Sequence, residues 1–306
     1  MDKKLPRFSY SKLNTFATCP MKYKLKYVDN NYEQSDAIHL DIGNLLHKIL
    51  EVKYRNIIDG IEIDYKFLKD IYINGISEET EKDKGNFIIG INVIRDKFGE
   101  ELFSNVNHKS NLSYNEKLEI FRDYLENDSL EDNWKTIAVE LPFEFVYDDK
   151  VILHGFIDRI DENDKGELRV VDYKSSNTIF DQKDITTPLQ MFIYALACEY
   201  IYGKTPIEFV YDFILLGEKQ YACTKGYYNR GIKKLDKLLD NIFEAEKIQS
   251  WKPNATPLCH WCEFSQTNPK ASFYLQDLCE YYSLWTPDNK TFKKNKEYVP
   301  DNLFDF

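Results

Sequence analysis

Asp158, Asp172 and Lys174 are the side chains best placed to do chemistry in this chain of 306 residues. They lie near the ends of two apolar segments, VILHGFIDRI and ELRVVDYKS. Two carboxylates held close together repel each other unless a cation lies between them, and hard oxygen ligands favour Mg²⁺ or Mn²⁺. Such a site could hydrolyse a phosphate ester, with the Lys174 ammonium orienting a water or balancing charge on the phosphate.

A hairpin is the element that would position these groups. Asn163 and Gly166 interrupt the two β-rich runs as a hairpin loop does, so the runs are predicted to pair antiparallel. Both carboxylates would then emerge near the same end of the sheet, and Lys174 would share the face of Asp172. Charged side chains on a surface hairpin are also common without any chemistry. The pattern therefore needs support from other segments.

An upstream segment offers a further ligand. In GNLLHKILE, Gly43, His47 and Glu51 recur every four residues while leucine and isoleucine fill the other faces, which predicts a buried helix. His47 could then reach a metal, and Gly43 would allow another element to approach closely. A histidine on an apolar helix is more often a hydrogen-bonded core residue, so this alternative stays open.

A downstream apolar segment, LQMFIYALACEYIYG, predicts a second helix with Gln190 and Tyr194 one turn apart. An amide and a phenol at this spacing can hold a phosphate or a base in register. The plainer alternative is a Tyr194 packed in the core beside an exposed Gln190.

In this order, the patterns resemble the PD-(D/E)XK nuclease superfamily and its RecB-like exonuclease branch, which includes iron-sulfur exonucleases related to AddB and to CRISPR-associated nucleases. The motifs of that branch are a G-x-x-x-H helix, a G-x-x-D strand, a (D/E)-x-K strand and a Q-x-x-x-Y helix. Their counterparts here are Gly43 to His47, Gly155 to Asp158, Asp172 to Lys174 and Gln190 to Tyr194. The segment FSYSKLNTFATCPMKYKLKYV is similar to the opening motif, with a helix that begins at Ser11 and is ended by Cys19-Pro20. The resemblance covers most of residues 7 to 265.

The resemblance implies an α/β fold, a restriction-endonuclease-like core with a mixed central sheet flanked by helices and a helical insertion. The implied metal ligands are three side chains and one backbone carbonyl, those of His47, Asp158, Asp172 and Tyr173. Lys174 would serve the nucleophilic water, while Gln190 and Tyr194 would contact nucleic acid. An imidazole ligand would tilt the preference toward Mn²⁺.

The implied activity is a Mg²⁺- or Mn²⁺-dependent DNA exonuclease that hydrolyses phosphodiester bonds without a covalent intermediate. Its substrate would be single-stranded DNA or DNA ends in recombination, repair or replication. The alternative is a catalytically silent nuclease-fold module that binds DNA or a partner protein.

The six cysteines raise the question of a second metal site. Cys198 falls in the predicted helix and Cys223 in a strand-like run, which predicts ordinary core residues for both. The remaining cysteines are Cys19, Cys259, Cys262 and Cys279. In iron-sulfur members of the branch, one N-terminal and three C-terminal cysteines hold a [4Fe-4S] cluster. Cys279 comes later than the usual last cysteine, so an inserted loop would have to bring it back. Zinc, with His260 as a substitute ligand, and metal-free thiols are the alternatives.

Five parts are predicted along the chain. Residues 1–51 begin the nuclease domain, 52–134 form a mostly helical insertion, 135–250 form the nuclease core, 251–285 form a cysteine-bearing clamp, and 286–306 form a flexible tail. Further predicted elements are a hairpin with an Asp148-Asp149 turn, strands around 209–216 and 220–227, and a helix from about 229 to 249.

Composition limits the setting in which the chain works. A hydrophobic content of 43% is ample for a core, while no apolar run is long enough to cross a bilayer and the first residues lack a signal peptide. We expect a soluble, cytoplasmic protein with reduced thiols and no membrane partner. A net charge of −11 requires any DNA binding to be local.

The tail VPDNLFDF is weakly similar to peptides that bind replication or recombination proteins, and packing on the body is the alternative.

Overall fold

The chain divides into two compact units. The computed structural model describes residues 5–31, 37–80, 83–127, 133–180, 189–224, 228–266, 268 and 271–279. The first unit comprises Met1–Tyr10 and Gln34–Lys237, and the second comprises Ser11–Glu33 and Leu238–Phe306. The second unit thus joins the N-terminal cysteine segment to the C-terminal one. The tail predicted at 286–306 lies outside the described residues.

Strands and helices alternate irregularly along the chain. The strands are β1 (Arg7–Phe8), β2 (Gly75–Thr80), β3 (Asp83–Ile89), β4 (Trp134–Tyr147), β5 (Val151–Asn163), β6 (Leu168–Tyr173), β7 (Glu208–Phe213) and β8 (Glu218–Cys223). The α-helices are α1 (Tyr10–Thr18), α2 (Pro20–Tyr23), α3 (Ile38–Asp59), α4 (Tyr65–Asn74), α5 (Ile91–Phe98), α6 (Glu100–Ser104), α7 (Tyr114–Asn127), α8 (Leu189–Tyr202) and α9 (Tyr228–Ile248). A π-helical turn covers Lys24–Val28 and a 3₁₀ helix covers Pro257–Trp261.

A six-stranded mixed sheet forms the centre of the first unit, in the order β1-β5-β6-β7-β8 with β4 also paired to β5. β4 and β6 run antiparallel to β5, whereas β1 is parallel to β5 and β6 is parallel to β7. This mixed sheet with helices packed against it confirms the predicted fold class.

Turn chemistry fixes the two hairpins that surround β5. Asp148 and Asp149 have φ values of 50° and 52°, and a tight type I′ turn requires positive φ at both of its central residues. In the next turn Asn163 Oδ1 accepts hydrogen bonds from the backbone N–H groups of Lys165 (3.0 Å) and Glu167 (2.9 Å). The antiparallel pairing predicted for the two segments is confirmed, with Arg159 opposite Val171.

Helix α3 packs its apolar side against the sheet. Its fully buried residues include Ile42, Leu45, Leu46, Ile49 and Leu50, which join Val139, Val171 and Val210 of the strands in one core. Burying each such side chain contributes about 1.5–3 kcal/mol, so this helix is firmly held against the strands. The predicted boundary between residues 51 and 52 falls inside α3.

The predicted helical insertion also contains strands. Helices α4 to α7 occupy much of residues 52–134, but β2 and β3 form a separate antiparallel hairpin. Gly75 opens this hairpin with φ 81°, and an added Cβ there would lie 2.0 Å from the carbonyl oxygen of Ile88. Only glycine permits this close backbone approach, and no strand was predicted at this position from the sequence.

The second unit is small and rich in aromatic contacts. Phe16 packs edge-on against Tyr23 with ring centroids 5.3 Å apart, and Tyr23 stacks on Trp251 at 5.7 Å. A further cluster joins Leu25 and Phe264. Among the described residues of the whole chain, no helix is both long and apolar enough to cross a membrane.

Two smaller predictions are corrected. Cys198 is fully buried as expected, but Cys223 is exposed because it lies at the end of the edge strand β8. The strand predicted to reach residue 216 ends at Phe213, where β7 turns toward β8. The next strand ends at Cys223, and residues 225–227 of that prediction lie outside the described part of the chain.

Candidate active site

Two carboxylates and an imidazole of the first unit converge beside the sheet. His47 comes from α3, Asp158 from β5 and Glu140 from β4. The Nδ1 atom of His47 lies 3.7 Å from Asp158 Oδ2 and 3.8 Å from Glu140 Oε1. One ligand atom from each residue lies within 4.8 Å of the other two, which suits a bound metal ion. The side chains are 29%, 13% and 27% exposed for His47, Asp158 and Glu140, so the group is reachable from solvent.

Glu140 is a member of this group that was not predicted from the sequence. Its φ of 44° lies in the left-handed region, which costs a non-glycine residue about 1–2 kcal/mol and is concentrated at functional sites. The sequence nevertheless contained a pattern that could have identified Glu140. The turn at Asp148-Asp149 pairs Tyr147 with Val151, and counting back along both strands brings Glu140 opposite Asp158.

Asp158 is held in place by the neighbouring strand. The backbone N–H of Tyr173 donates a hydrogen bond to Asp158 Oδ2 at 2.8 Å. That same oxygen lies 3.7 Å from His47 Nδ1, so the Tyr173 hydrogen bond holds the oxygen that faces the imidazole. The antiparallel register that pairs Arg159 with Val171 makes Asp158 and Asp172 the next facing positions.

Asp172 differs from the other predicted ligands because it already has a cationic partner. Its side chain is only 2% exposed and forms an ion pair with the Lys174 ammonium. The compact group of potential metal ligands contains Glu140 beside His47 and Asp158. Its role as a metal ligand stays a prediction for Asp172.

Lys174 connects Asp172 to helix α8. Its ammonium donates a hydrogen bond to Gln190 Oε1 at 3.1 Å, and Gln190 Nε2 donates to the phenol oxygen of Tyr194 at 2.9 Å. The one-turn spacing of Gln190 and Tyr194 thus produces a continuous polar chain that ends at Asp172. Tyr194 is 6% exposed and packs edge-on against Phe143, so contact with nucleic acid stays a prediction for this pair.

Two motif glycines are explained by close packing. A Cβ on Gly43 would lie 3.2 Å from Ser175 Oγ, in the loop that follows Lys174. A Cβ on Gly155 would lie 2.9 Å from Cζ of Phe143, its cross-strand partner. Both glycines let a neighbouring element approach the site.

Burial and charge shift the acidities at the site. Burial alone would lower the pKa of His47, but the negative charges of Asp158 and Glu140 prevail and raise it to about 9. Burial and the Asp158 charge raise the pKa of Asp172 to about 6, with Lys174 opposing them. Burial tends to lower the pKa of Lys174, yet the Asp172 carboxylate raises it overall. The carboxylates therefore carry an electrostatic cost that a divalent cation would relieve.

The second unit contains the four remaining cysteines. A cavity of about 240 Å³ is lined by Cys19, Cys259, Cys262 and Cys279, with apolar walls that include Leu25 and Phe264. The backbone N–H of Cys279 donates to the carbonyl of Phe264 at 3.1 Å, and Cys279 lines the same cavity as the C-x-x-C pair. Burial raises the pKa of the Cys259 and Cys262 thiols.

Comparison with known proteins identifies the family. The model of the PD-(D/E)XK nuclease superfamily matches residues 7–267. The chain belongs to this superfamily. The resemblance stated from the four motifs is thereby confirmed, and the family match covers most of the chain.

The curated relatives agree with the RecB-like branch of the superfamily. An ATP-dependent helicase/deoxyribonuclease subunit of Streptococcus agalactiae is 28% identical over 250 residues, which is 78% of this chain and 20% of that protein. The protein of the same name from Clostridium tetani is 27% identical over 203 residues, 60% of this chain and 16% of that protein. The Gene 69 protein of Mycobacterium phage D29 is 29% identical over 239 residues, 72% of this chain and 78% of that protein. The chain thus spans about a fifth of the length of the streptococcal relative.

Proposed function

We propose that this protein is a metal-dependent DNA exonuclease that acts on single-stranded DNA or DNA ends in recombination, repair or replication. The observation that carries the proposal is the convergence of His47, Glu140 and Asp158 beside the buried Asp172–Lys174 ion pair. Carboxylate and imidazole donors at this spacing suit Mg²⁺ or Mn²⁺, and the imidazole favours Mn²⁺. The names of the streptococcal and clostridial relatives, which include deoxyribonuclease, support DNA as the substrate.

His47, Glu140 and Asp158 would hold the cation, with Asp172 and the Tyr173 carbonyl as neighbouring donors. When bound, the ion supplies Lewis-acid activation of the scissile phosphate and of a water. Glu140 would add a further carboxylate to the ligands that the resemblance implied. The strained backbone of Glu140 supports a role in the site, because such strain persists where surrounding structure enforces it.

Lys174 would act as a fixed positive charge. Because Asp172 raises its pKa, the ammonium stays protonated near neutral pH and does not serve as a free base. Asp172 and Gln190 engage two of its three N–H groups, which leaves one to orient a water or a phosphoryl oxygen. Helix α8 would thus position Lys174 through Gln190.

The test is digestion of end-labelled single-stranded and double-stranded DNA by the purified chain with Mn²⁺ or Mg²⁺. Asp158→Ala and Lys174→Ala are expected to lose about 100-fold or more of the rate. Asp164→Ala and Lys165→Ala, exposed residues in the adjoining β5–β6 turn, serve as matched controls and should cleave normally. Product length reports polarity and separates exonucleolytic from endonucleolytic action.

Undiminished cleavage by Asp158→Ala or Lys174→Ala would refute the site assignment. A wild-type protein that binds DNA without cleaving it in either metal would support a catalytically silent binding module.

We further propose that Cys19, Cys259, Cys262 and Cys279 hold a [4Fe-4S] cluster within the second unit. Four thiols around one apolar-walled cavity are suitable donors for such a cluster, and zinc is the rival occupant.

Anaerobic purification should give a brown protein that absorbs near ~400 nm and contains iron and sulfide. Cys279→Ser is expected to lose the colour, whereas Cys223→Ser, which changes an exposed cysteine of the first unit, should keep it. A colourless protein containing zinc would favour the rival, and one with neither metal would remove the cluster.

A further inference from the structure

A buried arginine lies next to one of the candidate metal ligands. Arg159, next to Asp158 on β5, is 2% exposed. Its guanidinium sits 4.3 Å from the centroid of the Tyr54 ring, and its Nη1 donates a hydrogen bond to the Tyr173 phenol oxygen at 2.9 Å. Tyr54 belongs to α3, as His47 does, and Tyr173 belongs to β6. One side chain of β5 therefore contacts two other elements of the site, α3 and β6.

Asp161 forms an ion pair with this arginine. Its fully buried carboxylate accepts hydrogen bonds from Arg159 Nη2 (3.3 Å), Arg169 Nε (2.9 Å) and Thr136 Oγ1 (2.8 Å). Two arginines thus share one buried carboxylate. A buried charge is tolerated only when it is paired and hydrogen-bonded, which leaves Arg159 little freedom to move.

Tyr173 links Arg159 to the candidate metal ligands. Its ring meets the His47 imidazole edge-on, with centroids 5.8 Å apart and planes at 88°, and it stacks on Tyr54 at 6.5 Å. Its backbone N–H holds Asp158 Oδ2. Tyr173 thus touches two candidate metal ligands, one through its side chain and one through its backbone.

We propose that Arg159 and Tyr173 form a positioning pair that holds His47 and Asp158 in the geometry needed for cation binding. This inference rests on the proposed function, because it gives the network a role at the same site. Arg159 touches neither metal nor DNA in this scheme, and it acts on the ligands through Tyr173. Residues that orient metal ligands from behind commonly change metal affinity by about 10–100-fold when substituted.

Tyr173→Phe is the sharpest variant. It removes the phenol oxygen that accepts from Arg159 but keeps the ring against His47 and the backbone N–H on Asp158. Mn²⁺ binding by the full-length chain without DNA can be followed through the paramagnetic resonance signal of the free ion. We expect the Kd for Mn²⁺ to rise about 10–100-fold.

Two further variants test whether the Arg159–Tyr173 contact causes the change in Mn²⁺ affinity. Tyr147→Phe removes a phenol hydrogen bond to Asp236 in the same unit and should leave Mn²⁺ affinity unchanged. Arg159→Lys keeps the charge but lacks the forked geometry that reaches Tyr173 and Asp161 together, so it should bind Mn²⁺ more weakly than wild type. A lower melting temperature with unchanged Mn²⁺ affinity in Tyr173→Phe would overturn the inference, since it would show a purely structural role.

The outcomes separate this inference from the proposed function. If wild type binds Mn²⁺ and Asp158→Ala does not, the site exists, and Tyr173→Phe then decides the role of the pair. If wild type binds Mn²⁺ no better than Asp158→Ala, the proposed metal site itself fails, and the positioning role fails with it.

Discussion

Gly155→Ala tests why a glycine lies three residues before Asp158 in β5. A Cβ at this position would sit 2.9 Å from Cζ and 3.1 Å from Cε1 of Phe143. Unstrained carbon–carbon contacts lie at roughly 3.5–4.0 Å, so the ring must move by more than about half an ångström. Phe143 is 6% exposed, which leaves it little room to give way.

The size of the effect follows from two opposing contributions. Overpacking a buried site costs about 1–3 kcal/mol of unfolding free energy, while replacing glycine by alanine in a strand gains about 0.5–1 kcal/mol. We therefore expect a net loss of about 1–2 kcal/mol. Because the Phe143 ring packs on Tyr194, its displacement should also disturb the Gln190–Tyr194 hydrogen bond and slow DNA cleavage.

The assay is a double-mutant cycle with Phe143→Leu, which removes the obstructing ring. Urea unfolding of wild type, both single variants and the double variant, followed by far-ultraviolet circular dichroism, gives the coupling energy. In the Phe143→Leu background, Gly155→Ala should be neutral or slightly stabilising, so the coupling should reach about 1–3 kcal/mol. An equal cost in both backgrounds, or no cost in either, would refute the reasoning, because the ring would then not be the obstacle.

Three further predictions concern the site and its hairpin. Glu140→Gln should weaken Mn²⁺ binding by about tenfold or more while the chain stays folded, and calorimetric titration checks this; unchanged affinity would exclude Glu140 as a ligand. The pKa of His47 is raised from its ordinary 6.5 to about 9, so the protonated imidazole stabilises the metal-free protein fully below pH 6.5. This stabilisation is lost as pH rises through about 9, whereas Mn²⁺ affinity should increase over the same window because binding requires neutral imidazole; His47→Gln should flatten both profiles. Gly166→Ala, at φ 74° in the β5–β6 turn, should cost about 1–2 kcal/mol in urea unfolding with little change in the cleavage rate.

Local patterns in the sequence determined much of this site. Turn residues and alternating apolar segments placed Asp158 and Asp172 on antiparallel strands, and the four-residue spacing placed His47 on a buried helix. The same spacing accounts for the Gln190–Tyr194 contact. These features depend on backbone periodicity and turn geometry, which a few neighbouring residues fix.

The tertiary structure decided which side chains finally meet. Glu140 joins His47 because the β4–β5 register carries it there, and Lys174 pairs with Asp172 while donating to Gln190. Cys279 lines the same cavity as the other three cysteines, and its backbone N–H bonds to the carbonyl of Phe264. Contacts between residues distant in the chain depend on packing, register and burial of the whole unit rather than on local spacing. The sequence therefore determined the elements and most of the reactive groups, and the packing of those elements determined their partners.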